Sequence, residues 1–124
     1  MPRAGSDIRI KRAYDPPDKD DGVRVLVDRL WPRGIKKDDL HLHVWAKELA
    51  PSSELRQWFA HDEKRWSEFQ KRYRCELAGP KVRARIKEII ERANGAPAIT
   101  LVYGARDRKH NEAVVLQTKF RRLL

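Results

Sequence analysis

Two short stretches of this chain carry side chains that could do chemistry, and each follows an apolar run. In the first, Val25-Leu26-Val27 gives way to Asp28-Arg29-Leu30-Trp31-Pro32-Arg33-Gly34. In the second, Ile99-Thr100-Leu101-Val102-Tyr103 gives way to Gly104-Ala105-Arg106-Asp107-Arg108-Lys109-His110-Asn111. Guanidinium groups grip phosphate or carboxylate through two parallel N–H donors. A histidine titrates near neutral pH, and with a carboxylate it can move protons. The candidate catalytic set is therefore Asp28, Asp107 and His110. Arg29, Trp31, Arg33, Arg106 and Asn111 are the candidate ligand-binding set. Asn111 also opens a helix, whose free N–H groups and positive dipole end favour an anion. The competing reading is that Asp28 and Asp107 only pair with nearby arginines and tie the loops together.

Other chemistries find less support. Neither stretch holds a cysteine, and Ser52 and Ser53 suit helix capping better than nucleophilic attack. Cys75 lies between Arg74 and Glu76 in an amphipathic segment and reads as an incidental thiol. His41 and His43 stand two apart, with His61 and His110 distant, which matches no zinc spacing. No metal and no cofactor is called for.

The elements that must position these loops follow from the apolar spacing. Ile8 to Tyr14 alternates apolar and basic residues, as a half-buried strand does. Val23 to Val27 is a β-branched run that suits a central strand. The Pro- and Asp-rich loop between them, Asp15 to Gly22, is short for a crossover between adjacent parallel strands. The two strands are therefore antiparallel, or parallel and not neighbours. One helical turn is expected near Lys36–Leu40, followed by an irregular packed segment to Pro51. A short helix follows from Glu54 to Phe59. Asp62 caps a helix to Ala78, with Trp66, Phe69, Tyr73 and Leu77 on one stripe. Another runs from Pro80 to Ala93, with Val82, Ile86, Ile89 and Ile90 inward and Asn94-Gly95 as its stop. Ala98 to Tyr103 is a third strand, apolar enough to be central and expected beside the second. A final helix opens at Asn111 and puts Ala113, Leu116, Phe120 and Leu124 on one face. The expectation is a single small α/β domain, residues 8–124, after a flexible stretch 1–7. Its short, mostly parallel sheet of about three or more strands is covered by four to five helices. In such a sheet ligands sit at the carboxyl ends of the strands, where both loops begin.

Composition bounds the partners. The 124 residues suffice for one core, and 28 Lys and Arg against 18 Asp and Glu give a net charge of +10. That excess raises phosphate-bearing partners, either a small molecule or nucleic acid. The basic runs Lys71/Arg72/Arg74, Lys81/Arg83/Arg85/Lys87 and Lys119/Arg121/Arg122 fall on outer helix faces. Trp31, Trp45, Trp58 and Trp66 could stack on bases, although Trp58 and Trp66 share stripes with core residues. No apolar run reaches membrane-spanning length, and the start of the chain does not read as a secretory signal. With one cysteine, this fits the cytoplasm.

Three motifs together resemble a known family. Val27-Asp28-Arg29-Leu30-Trp31-Pro32-Arg33-Gly34, Lys47-Glu48-Leu49-Ala50-Pro51-Ser52 and Glu54-Leu55-Arg56-Gln57-Trp58-Phe59-Ala60-His61-Asp62 are similar to the YeaO-like branch of the prokaryotic family called domain of unknown function 488. Thr100 to Asp107 and Asn111 to Leu116 are similar too. The family's larger branch carries Asp-Val-Arg after an early strand and cysteines after the late one. The resemblance sets Asp28 and Arg29 against that Asp and Arg, but 104–111 holds no cysteine, so thiol chemistry is not implied. Members are sometimes labelled winged-helix regulators. A late apolar strand followed by a terminal amphipathic helix does not fit that label.

Three functions follow from this reading. The first is an uncharacterised cytoplasmic protein that binds a small anionic ligand, a nucleotide or another phosphorylated molecule, with hydrolysis or group transfer as its chemistry if it is an enzyme. The second is a non-catalytic nucleic-acid-binding protein that uses the basic surface. The third is a partner-binding domain whose charged loops are salt-bridge networks. No membrane partner is expected, and the sequence is silent on oligomeric state.

Overall fold

The computed structural model describes residues 7–124, so most of the expected flexible stretch 1–7 lies outside the described residues. Asp7 is within them, and its carbonyl accepts the Ile99 N–H.

Four strands form one sheet in the order β1-β4-β2-β3, with every pairing parallel. They are β1 (Ile8–Arg12), β2 (Val23–Leu26), β3 (Val44–Trp45) and β4 (Ile99–Tyr103). β4 is buried along its whole length and separates β1 from β2, with Ile99 level with both Ile8 and Val23. The short connection after β1 therefore never joins neighbours, and β4 does lie beside β2 as its apolar sequence implies. β3 was not expected as a strand. Two residues are too few to show an alternating pattern, and only the pairing of Val44 and Trp45 with Val25 and Leu26 makes them one.

The sheet has two unlike faces because side chains alternate along each strand. Ile8, Val25, Ile99, Leu101 and Tyr103 point to the main core. That side is covered by α2 (Ser53–Phe59), α3 (Trp66–Glu76), α4 (Pro80–Arg92) and α5 (Glu112–Leu123). Phe69, Tyr73, Ile86, Ile89, Leu116 and Phe120 fill it at 2 % exposure or less, so the expected stripes are the buried ones. Burying such side chains contributes about 1.5–3 kcal/mol each. Leu124 departs from its stripe: it follows the last turn of α5 and is 38 % exposed. The other face is narrower. Leu26 and Val102 pack there under Leu40 of α1 (Lys37–Leu40), and Arg24 and Thr100 are buried beside them.

Local chemistry sets the ends of the elements. Ser52 accepts from the Leu55 N–H and Asn111 from the Val114 N–H, each capping its helix. Asp62 caps a single 3-10 turn, Glu63–Arg65, and α3 proper begins only at Trp66, later than the spacing suggests. Gly22 has φ +66°, and a Cβ there would lie 2.0 Å from the Ala98 carbonyl oxygen, so no other residue fits before β2. No helix among the described residues is long and apolar enough to cross a membrane.

Candidate functional site

The carboxyl ends of β2 and β4 open into a cavity of about 540 Å³, a size suited to a small-molecule ligand. Asp28 stands at its base, directly after β2. Its Oδ2 accepts the Gly104 N–H at 2.8 Å and its backbone carbonyl accepts the Trp45 indole N–H at 2.8 Å. One residue thus ties together the ends of β2, β4 and β3. Gly104 is required for this approach, because a Cβ on it would meet Asp28 Oδ2 at 2.9 Å. Neither Asp28 nor Asp107 is ion-paired with an arginine among the described residues. Asp107 is paired with His110.

A second acid shares this space. Glu112, the first residue of α5, lines the same cavity. Burial, then the hydrogen bond and negative charge of Asp28, push the Glu112 carboxyl well above the usual carboxylate range. Beneath the pair, the buried Tyr73 hydroxyl donates to the Leu49 carbonyl. Burial, then the charges of Glu112, Glu76 and Asp28, raise this phenol well above its ordinary value.

Cations stand around the same cavity. Arg29 donates from Nη2 to the Pro51 carbonyl at 3.3 Å, while its Nε is buried with no hydrogen-bond partner. Arg33 and Arg56 are exposed and line the opening. Neither guanidinium has a protein partner among the described residues. Arg33 is fixed by its backbone instead, since its carbonyl accepts the Tyr14 hydroxyl at 2.8 Å. Trp31 lines the wall with its indole N–H donated to the Ile35 carbonyl at 2.7 Å and its ring edge-on to Trp45. Phe59 lines the wall from α2 and stacks on Phe69 at 4.3 Å.

The second loop divides. His110 and Asn111 line the cavity, but Arg106 and Asp107 do not. Arg106 is exposed, with no protein partner among the described residues. Asp107 accepts from the Lys109 and His110 backbone N–H groups and from His110 Nδ1 at 2.8 Å. The Lys109 N–H, and then the His110 ring, hold its carboxyl below the usual range. Asp107 therefore orients the His110 ring, whose edge also meets Trp66 at 5.3 Å. Asn111 is spent on structure: Nδ2 donates to the Asp107 carbonyl and Oδ1 caps α5. Glu63, Asp107 and His110 each bring a ligand atom within 4.8 Å of the others. The Asp107 oxygens are already hydrogen-bonded, and Glu63 is exposed on the surface.

Of the eight residues singled out by sequence, Asp28, Arg29, Trp31, Arg33, His110 and Asn111 share the cavity wall, and Arg106 and Asp107 lie outside it. Sequence reasoning missed Glu112 and Arg56. The sign for Glu112 was its place directly after a capping asparagine, at the mouth of the loop. Arg56 had no local sign, because it lies off the apolar stripe of α2 and reaches the cavity only through the docking of that helix.

Comparison with known proteins places this architecture in a family. A family model described as the inactive DUF488-N3 subclade, DUF488-N3i, matches residues 7–124. The chain is 44 % identical over 116 residues to the uncharacterized protein YeaO of Escherichia coli strain K12, covering 94 % of this chain and 98 % of that protein. It is 41 % identical over 109 residues to the uncharacterized protein Rv3073c of Mycobacterium tuberculosis, covering 88 % and 89 %. No solved structure matches it.

Proposed function

The chain belongs to the DUF488-N3i family, and from that premise we propose that it binds a small phosphorylated ligand in the cavity at the carboxyl ends of its strands. The observation that carries this reading is the pair of guanidiniums, Arg33 and Arg56, that line one cavity without a hydrogen-bond partner among the described residues. Exposed arginines are common, but two that line one cavity, neither in a salt bridge among the described residues, offer paired donors to a phosphate. Arg29 adds a third, partly buried cation with a free Nε–H. Phe59 and Trp31 on the same wall offer aromatic surface to the neutral part of the ligand.

Binding without turnover is the simpler form of this proposal. The matching subclade is described as inactive, and the cavity wall holds no serine, threonine or cysteine. A catalytic reading rests on one observation, the 2.8 Å contact by which Asp107 orients His110 at the cavity wall. In that reading His110 moves a proton while Asp28 stabilises positive charge in the substrate.

The test is a calorimetric titration with ribose 5-phosphate. The wild-type protein is expected to give a saturable isotherm, and the Arg33→Ala/Arg56→Ala double variant to lose at least about tenfold in affinity. Equal affinity in the two proteins, or no binding by either, rejects the proposal.

A further inference from the structure

The cavity wall carries apolar surface that the fold leaves uncovered. Among the described residues, the large hydrophobic side chains that stand exposed are Tyr14, Leu30 and Leu124, at 46 %, 62 % and 38 %. Leu124 follows α5 and is no part of the wall. Tyr14 and Leu30 both line the cavity, one from the loop after β1 and the other from the loop after β2. A single exposed hydrophobic side chain is ordinary, but two on one concave wall mark surface that a ligand covers. Tyr14 is also held in place. Its hydroxyl donates to the Arg33 carbonyl at 2.8 Å. The Arg12 guanidinium lies over its ring, 4.9 Å from the centroid, and Arg12 Nε donates to the Ala105 carbonyl at 2.8 Å. A ring anchored in this way gives up little further freedom when a ligand meets it. The hydroxyl bond also sets the ring beside the backbone of Arg33, whose guanidinium is offered to the phosphate.

We infer that Tyr14 and Leu30 form an apolar platform, and that the ligand is a nucleoside monophosphate whose base lies on Tyr14 while its phosphate meets Arg33 and Arg56. This rests on the phosphorylated-ligand reading above and names the part of the ligand that the arginines leave undetermined. A phosphate without a ring would leave both apolar side chains as exposed as before. The ribose between base and phosphate gives a nucleotide the reach to use Tyr14 and Arg33 together. A ring stacked on Tyr14 is recognised by its face and not by its edge. Every base has such a face, so the platform takes all four bases, the purines more tightly because they cover more of it.

Calorimetric titrations of adenosine, cytidine, guanosine and uridine monophosphates beside ribose 5-phosphate separate the two claims. Each nucleotide is expected to bind more tightly than ribose 5-phosphate, and the purine nucleotides by about tenfold, the scale of one stacked base. Tyr14→Phe and Tyr14→Leu both lose the hydroxyl bond to Arg33, and only the first keeps an aromatic ring. Tyr14→Phe is expected to retain the preference for nucleotides. Tyr14→Leu is expected to bring them down to the affinity of ribose 5-phosphate, which itself should bind the two variants alike. The inference is overturned if ribose 5-phosphate binds as tightly as the nucleotides, a result that needs no variant and leaves the phosphate reading intact. It is also overturned if a single base alone is preferred, which would mean recognition by the base edge, or if Tyr14→Leu keeps the preference. If no phosphorylated compound binds, both claims fall together.

Discussion

Two charged clusters flank β2, and they treat charge in opposite ways. Near its amino end, Asp21 accepts from Arg24 Nη1 at 2.6 Å and from Lys11 Nζ at 3.1 Å, while Arg24 Nε donates to the Leu40 carbonyl. Asp21 and Arg24 are 4 % and 2 % exposed. Opposite charges meet, although Arg24 Nη2 is left buried without a hydrogen-bond partner. At the carboxyl end, Asp28, Glu112, Arg33 and Arg56 line one cavity, and none of the four is in a salt bridge among the described residues. A cluster that cancels its charges holds the chain together. A cluster that leaves its cations unpaired does less for the fold, and is where the account puts the ligand.

The largest effect should come from breaking the first cluster. Asp21→Ala strands a buried guanidinium and should cost about 3–5 kcal/mol of stability, read from chemical denaturation, with ribose 5-phosphate affinity unchanged in the folded fraction. Arg33→Ala and Arg56→Ala should do the reverse. Each should weaken ligand binding by about tenfold in calorimetry, roughly 1.4 kcal/mol, and leave the denaturation midpoint in place. A midpoint that falls with Arg33→Ala, or an affinity that falls with Asp21→Ala, would erase the contrast.

The pH dependence of stability sharpens the contrast further, because the two acids are shifted in opposite directions. Burial raises the Asp21 carboxyl, but the Asp18 N–H, Lys11 and Arg24 together outweigh it, and the net shift is downward. The unfolded chain then binds more protons than the folded one at acid pH. The contribution of Asp21 is present above its unfolded value of about 3.9 and is lost as pH falls through its lower folded value. Glu112 is shifted upward, so the folded state holds its proton longer. Its contribution is complete below the unfolded value of about 4.3 and is lost as pH rises toward its folded value. Denaturation midpoints across pH should therefore show Glu112→Gln gaining on the wild type as pH rises, and Asp21→Asn losing its acid-side slope. The smallest effect is expected from Arg106→Ala. Its side chain lies outside the cavity wall, so ribose 5-phosphate affinity should stay within about twofold of the wild type, where neutral surface substitutions fall.

Much of this arrangement is legible in the sequence. The apolar runs Val23–Val27 and Ile99–Tyr103 locate the two central strands, and the abrupt change to Asp28 and to Gly104 marks where the cavity opens. Helical stripes such as Trp66, Phe69, Tyr73 and Leu77 locate the core face without help from tertiary contacts. What escapes is whatever depends on docking. Val44–Trp45 is a strand only because β2 pairs with it. Arg56 reaches the cavity only because α2 packs against α3. Glu112 reads as an ordinary first-turn acid until the parallel alignment of β2 and β4 sets Asp28 against it. Arg24 sits unnoticed in an apolar run because its partner, Asp21, lies in a loop whose composition suggests exposure. Arg106 and Asp107 show the converse: they lie in the same loop, yet the cavity wall takes Gly104, Ala105, His110 and Asn111 and not these two.

The central claim is that the carboxyl end of this sheet is a small-molecule pocket and the basic helix faces are solvated surface. A thermal-shift panel tests it most directly: nucleoside monophosphates, ribose 5-phosphate, and single- and double-stranded oligonucleotides, each at low and high salt. A small ligand at about a hundred times its dissociation constant should stabilise the fold by roughly 2.7 kcal/mol, and a pocket contact should survive high salt in large part. The account predicts that shift with a nucleoside monophosphate, and its loss in the Arg33→Ala/Arg56→Ala variant. A shift produced by oligonucleotides alone and abolished by salt would contradict it, assigning binding to the basic helix faces and leaving Asp28 and Glu112 as structure.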